Sequence, residues 1–189
     1  MPEKHLSFDK KKRPPRVVQA PAECIRELLS DDGTFPNNEQ LPLLMYREAF
    51  DLTRSDAAGD VENVFHANQW RGSWRNGIYG FQHYHSTAHE VLGIYSGTVQ
   101  VQLGGPGGIT LTAEKGDVII IPAGVAHKNL GSRNFRCVGA YPRGQSWDMN
   151  YGKTTERPQA DRNIARVPLP EFDPVYGSDG PLIDDWLQK

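Results

Sequence analysis

The chain has 189 residues, a formal net charge of -2 and 38% hydrophobic residues, enough for one domain with a buried core and too few for two comfortable ones. No apolar run approaches the ~18 residues needed to cross a bilayer, and the opening "MPEKHLSFDKKKRPPR" lacks the apolar stretch of a secretory signal. Its two cysteines, Cys24 and Cys137, form no C-x-x-C arrangement, which argues against a disulfide framework or a thiolate zinc site and makes the cytoplasm the expected compartment.

Residues 1–16 carry six positive and two negative side chains, a net of +4 that leaves -6 for the rest of the chain. A basic end on an acidic body reads as a solvated, mobile tail, here over residues 1–22, and no nucleic-acid partner is expected. Pro14 and Pro15 oppose packing of this segment into helix or sheet. "DDGTFPNNEQLP" is then a turn-rich connector leading to the apolar run Leu43–Tyr46, which reads as a strand. In "DVENVFHANQW", residues 60–70, Val61, Val64, Phe65 and Trp70 share nearly one helical face behind Asp60 as N-cap. His66 falls off that face and reads as a surface histidine.

From residue 77 the period changes to two. In "TVQVQL", Val99, Val101 and Leu103 alternate with Gln100 and Gln102, the pattern of a half-buried strand. "GGPGG", residues 104–108, is a hairpin turn rather than a phosphate loop, since "ITLT" after it alternates like a strand and no helix follows. "DVIII", the turn "PAGV" and "NFRCVGAY" continue the series, with Cys137 as a small buried hydrophobe. Short strands punctuated by glycine and proline indicate a sandwich or small barrel. At the end, Pro181 suits the first position of a helix whose Leu182, Ile183, Trp186 and Leu187 cluster on one side.

"HYHSTAHE", residues 83–90, holds three of the chain's six histidines and a glutamate. His83 and His85 are two apart and share a face on a strand. A four-residue hairpin loop over 86–89 would make His85 and Glu90 cross-strand partners on that face and leave His89 in the loop, outside the set. His127 follows a strand and a Pro-Gly turn and can point back into the same barrel. Three neutral imidazoles and one carboxylate suit a borderline divalent metal and leave two octahedral positions open.

These residues resemble the cupins. The first cupin motif, G-x5-H-x-H-x3,4-E-x6-G, is matched by Gly77, His83, His85, Glu90 and Gly97, and the second, G-x5-P-x-G-x2-H-x3-N, by Gly116, Pro122, Gly124 and His127. The final asparagine of the second motif falls on Gly131, with Asn129 nearest, which bears on the turn after His127. Longer stretches such as "DDGTFPNN", "SWRNGIY" and "VGAYPRGQ" look like the YjlB-like bacterial cupins. The resemblance implies an all-β, jelly-roll β-barrel, placed with a few short flanking helices over residues 23–168; the residues of 169–189 themselves read as a C-terminal loop and helix docked on the barrel or a partner subunit. The resemblance also implies that His83, His85, Glu90 and His127 bind Fe, Mn, Ni or Zn.

Parity carried outward from His83 places Phe81, Tyr79 and Arg75 on the pocket side, with Leu92 and Ile94 inward on the partner strand. Arg75 is either a carboxylate anchor at the mouth or half of a surface ion pair. Tyr141, at its strand's end, is either a pocket residue or a packing residue, and Trp70 and Trp74 read as packing residues. No P-loop or G-x-S-x-G motif occurs, so any catalysis runs through the metal. The expected function is a metal-dependent enzyme on a small organic molecule, foremost an Fe(II) dioxygenase. A metal-dependent isomerase or decarboxylase, or a non-catalytic binding cupin, is the alternative. Open sheet edges and apolar terminal segments point to a homodimer.

Overall fold

The computed structural model describes residues 17–53 and 55–187; the basic run at residues 10–16 lies outside the described residues. Seven strands follow one another as β1 (Glu23–Leu29), β2 (Asn38–Arg47), β3 (Trp70–Asn76), β4 (Glu90–Leu103), β5 (Ile109–Glu114), β6 (Val118–Ile121) and β7 (His127–Pro142). Helix α1 (Ala57–Ala67) interrupts them, and a short α2 (Gln159–Ile164) and a π-helical turn (Ile183–Leu187) come after. All strand pairs are antiparallel, in the order β1-β2-β6-β4-β7-β3 with β5 also on β4. The architecture is the expected all-β barrel with short flanking helices. Among the described residues, no helix is long and apolar enough to cross a membrane.

Side-chain alternation builds two cores from one sheet. Leu43, Met45, Leu92, Ile94, Ile119, Ile121 and Cys137 point to one side and fill the barrel interior with Val99, Val101 and Leu103. Their neighbours Leu44, Tyr46, Val91, Val118, Ile120, Val138 and Ala140 point to the other, where α1 and the C-terminal segment cover them. "VIII" in β6 is therefore apolar without alternation because both of its faces are buried. Each fully buried side chain of this kind contributes about 1.5–3 kcal/mol.

Helix α1 starts four residues earlier than the spacing suggests. Asp56, not Asp60, is its N-cap and accepts the Gly59 N–H at 3.0 Å. It also ends at Ala67, because Gln69 takes a positive φ of 65° and turns the chain so that Trp70 opens β3. Val61, Val64 and Phe65 are buried against the sheet, and the sheet admits them at Gly93, where a Cβ would lie 2.6 Å from Val61 Cγ1.

Among the described residues, packing is already in place at Val17, which is 3% exposed, ahead of Glu23. Val17 and the bridge from Val18 to Phe50 anchor the last part of the segment expected to be a free tail. At the other end Leu182 and Trp186 are buried in the outer core. The Trp186 Nε1–H donates to the Pro42 carbonyl at 2.9 Å, and Tyr46 Oη both donates to Asp173 and accepts the Leu182 N–H. The C-terminal segment thus packs on β2 of its own chain.

Candidate metal centre

The stretch carrying His83 and His85 is not a regular strand paired with β4. Residues 77–89 form a loop that touches the barrel through isolated bridges, His83 to His127 and Tyr84 to Asn150. The proposed hairpin over 86–89 is absent: Glu90 lies opposite Ile121 of β6, and the His85 carbonyl accepts the Gly124 N–H at 2.8 Å. The loop is pinned instead by Asp148, whose carboxylate accepts hydrogen bonds from Ser86 N–H, Ser86 Oγ and Thr87 N–H. A carboxylate far along the chain replaces the local turn that spacing had suggested.

His83, His85 and His127 nonetheless converge. One nitrogen from each lies within 4.8 Å of the others, and all three rings are buried. His83 and His127 are locked together through the backbone, each N–H donating to the other's carbonyl at 3.2 and 2.9 Å. His127 reaches this position through the turn Pro122–Val125, where Gly124 has φ of 94° and a Cβ would lie 2.3 Å from the Asn37 carbonyl oxygen. Only glycine fits there. No turn follows His127, which is the first residue of strand β7, and the Asn129 N–H donates to the carbonyl of Tyr79 at 2.9 Å.

Each ring has Nδ1 on a backbone carbonyl: His83 on Phe81 at 3.1 Å, His127 on Val125 at 3.2 Å, and His85 on Asp148. Nδ1 must carry the proton in such a bond, which leaves Nε2 with a free lone pair. Glu90, 2% exposed, brings Oε2 to 3.4 Å from His85 Nε2 and 3.3 Å from His127 Nε2. Its Oε1 accepts from Tyr141 Oη at 3.0 Å, and Tyr141 accepts from Trp74 Nε1 at 2.8 Å. Burial and the neighbouring His127 push His83 down to about 3, so it is neutral at pH 7 as ligation requires. Burial alone would raise Glu90, but His85 and His127 beside it hold its carboxyl well below the ordinary range. Burial likewise works against a charge on His85, and Glu90 outweighs it, raising His85.

His89 belongs elsewhere. It is 1% exposed, its Nδ1 accepts the Ala123 N–H at 2.9 Å and its ring lies 4.9 Å from Trp186. His66 bonds Ser73 at 3.1 Å on the outside of α1.

The three rings and Glu90 form the floor of a cavity of about 360 Å³ walled by Trp74, Ile78, Tyr79, Leu92, Tyr141 and Met149, with Trp147 at its edge. Of the pocket residues expected, Leu92, Tyr79 and Tyr141 line it. Ile94 points inward but is sealed in the barrel core. Phe81 is 45% exposed and stacks on Tyr79 outside the cavity wall, with ring centroids 4.9 Å apart. Arg75 borders the cavity, but its guanidinium forms a two-pronged ion pair with Glu62 of α1 at 2.9 and 2.7 Å, so it is the surface pair and not an anchor. Arg75 thus reaches the cavity from β3 while its charge is taken up by α1. Trp74 is the inward residue of β3, over Gly139, where a Cβ would lie 2.2 Å from its indole. A register shift between Arg71 and Trp74 hides this from periodicity. Trp147, Asp148 and Met149 lie beyond the last strand and carried no sequence signal.

A family model for the cupin domain matches residues 76–138. YjlB of Bacillus subtilis is 38% identical over 159 residues, covering 84% of this chain and 93% of that protein. Among solved structures, an acireductone dioxygenase from Bacillus anthracis with a cadmium ion in its active centre aligns with a TM-score of 0.37 and 17% identity, over 49% of this chain and 63% of that one. The procruciferin 11S globulin of Brassica napus aligns at 0.34 and 17%, over 59% of this chain and 23% of that one. By the cupin-domain match and the 38% identity over 84% of its length, the chain belongs to the cupin family as a relative of YjlB.

Proposed function

We propose that this cupin is a metal-dependent enzyme acting on a small organic molecule, with Fe(II) as the working metal and oxygenation as the reaction. The observation that carries the reading is the set of three buried imidazoles whose Nδ1 atoms are all tied to backbone carbonyls. Such a set is preorganised to offer three Nε2 lone pairs with no rearrangement, and Glu90 adds one anionic oxygen. His83, His85, His127 and Glu90 would hold the ion, which when bound supplies Lewis acidity and, for iron, redox chemistry toward O2.

The remaining residues serve that centre. Tyr141 holds Oε1 of Glu90, so Oε2 is the oxygen left facing the histidines. Trp74 orients Tyr141 in turn. Ile78, Leu92 and Met149 keep the cavity wall apolar, which strengthens charge interactions inside it.

The test is to prepare apoprotein, reconstitute it with Fe(II), Mn(II), Ni(II) or Zn(II), and follow oxygen uptake and product mass over a panel of diketones, catechols, thiols and keto acids. Oxygen uptake with iron, abolished in His83→Ala, is expected. Turnover with several metals and no oxygen uptake would replace oxygenation by isomerisation or decarboxylation, and tight ligand binding without turnover would make the chain a binding protein.

A further inference from the structure

The cavity's wall says what kind of molecule fits above the metal centre. Four large aromatic side chains are among the most exposed apolar groups of the described residues: Tyr79, Phe81, Trp147 and Tyr151, at 48, 45, 49 and 46%. Tyr79 and Trp147 line the cavity, and Phe81 and Tyr151 continue outward from Tyr79. Tyr79 stacks on Phe81, which lies 5.8 Å from Tyr151. On the other side Trp147 lies nearly parallel to Tyr141, 6.3 Å away at 26°, and 5.6 Å from His85. Exposed aromatic surface concentrated at one cavity marks a binding surface.

Charge narrows the choice. A divalent ion with three neutral imidazoles and Glu90 retains one positive charge. A ligand bringing a single negative charge makes the buried assembly neutral, whereas a second negative charge would need a cation of the protein's own. Among the described residues lining the cavity the cation is Arg75, and its guanidinium is held on both prongs by Glu62. Tyr141 Oη already donates to Glu90 and accepts from Trp74, so it offers no spare donor to a carboxylate.

We infer that the substrate is a planar, aromatic, oxygen-chelating molecule that binds as a monoanion, such as the enolate of an aryl 1,3-diketone or a catechol, with its ring against Trp147. The inference rests on the metal centre proposed above and adds the chemical class of what it accepts.

The full-length chain loaded with Zn(II), which does not consume the ligand, is titrated calorimetrically with 1-phenylbutane-1,3-dione, pentane-2,4-dione and malonate, with quenching of tryptophan fluorescence as a second readout. The three probes offer the same pair of chelating oxygens and differ in ring and charge. The phenyl diketone should bind about ten-fold tighter than pentane-2,4-dione through its ring contacts, with malonate weakest. Trp147→Ala should retain stoichiometric zinc and lose most of that ten-fold preference, and Arg75→Ala should leave all three affinities unchanged. Malonate binding as tightly as the phenyl diketone, an unchanged preference in Trp147→Ala, or a malonate affinity that falls in Arg75→Ala overturns the substrate class while leaving the metal centre standing. A chain that takes up no zinc overturns the metal centre, and this inference with it.

Discussion

The two kinds of histidine in residues 83–90 predict opposite outcomes on mutation. His83, His85 and His127 point Nε2 at a shared centre, so alanine at any of them should reduce bound metal to a small fraction of stoichiometric, read by elemental analysis after desalting. His89 packs under Trp186 and accepts from Ala123, so His89→Asn should keep its metal. Burial holds the His89 imidazole down to about 4 against an ordinary 6.5. A group whose folded pKa is depressed contributes stability that is present above the unfolded value and lost as pH falls toward the folded one. His89 should therefore cost the protein about 3 kcal/mol between pH 6.5 and 4. Denaturant unfolding across that window should show a shallower decline for His89→Asn than for the parent. Asp148 is the third case. Asp148→Ala removes the acceptor for Ser86 and Thr87 and frees the loop that holds His85, so metal should bind more weakly by about ten-fold with the ligands all intact. Equal metal affinity in Asp148→Ala and parent would show that the loop holds its shape without it.

Among the elements, β4 was the most legible. Val99, Val101 and Leu103 face the barrel interior and Gln100 is exposed, as simple alternation requires. The "GGPGG" turn was equally plain, because it joins paired Leu103 and Ile109. Loop 77–89 was not legible, since its shape is fixed by Asp148 and by backbone pairing with His127, contacts between residues distant in sequence. The three clustered histidines could still be picked out, because histidine spacing and the cupin motifs do not depend on the loop being a strand. Phe81, predicted by parity within that loop, falls outside the cavity wall for the same reason, whereas Arg75 borders the cavity with its guanidinium held by Glu62. Strand β1 was not recognised either; its mixed burial follows from being an edge strand with no clean alternation. The junction of α1 with the sheet gives a test at this scale. Gly93→Ala places a Cβ 2.6 Å from Val61 and 2.9 Å from Phe65, and overpacking there should cost about 1–3 kcal/mol. Thermal unfolding should register it, while metal content stays unchanged because Gly93 faces away from the cavity.

For the whole molecule, the open question of assembly turns on β1. It is the first strand of the sheet order, pairs only with β2 among the described residues, and exposes Leu28 at 60%. A second copy covering this edge would satisfy its free backbone groups, and a homodimer is expected. Light scattering should give about twice the chain mass of 21.1 kDa, and a proline replacing Arg26, within that edge, should shift the mass toward one chain. A constant single-chain mass over a wide concentration range would rule the dimer out.

All four candidate metal ligands fall inside the segment 76–138 matched by the family model, whereas Tyr141, Trp147, Asp148 and Met149 come after it. The candidate metal centre and much of the chamber around it are thus carried by different lengths of chain. Descendants of one ancestor can keep the first unchanged while the second drifts, and so come to handle different molecules with the same ion. Grafting residues 139–152 from one such relative onto another is then the shortest exchange that could transfer selectivity without rebuilding the barrel.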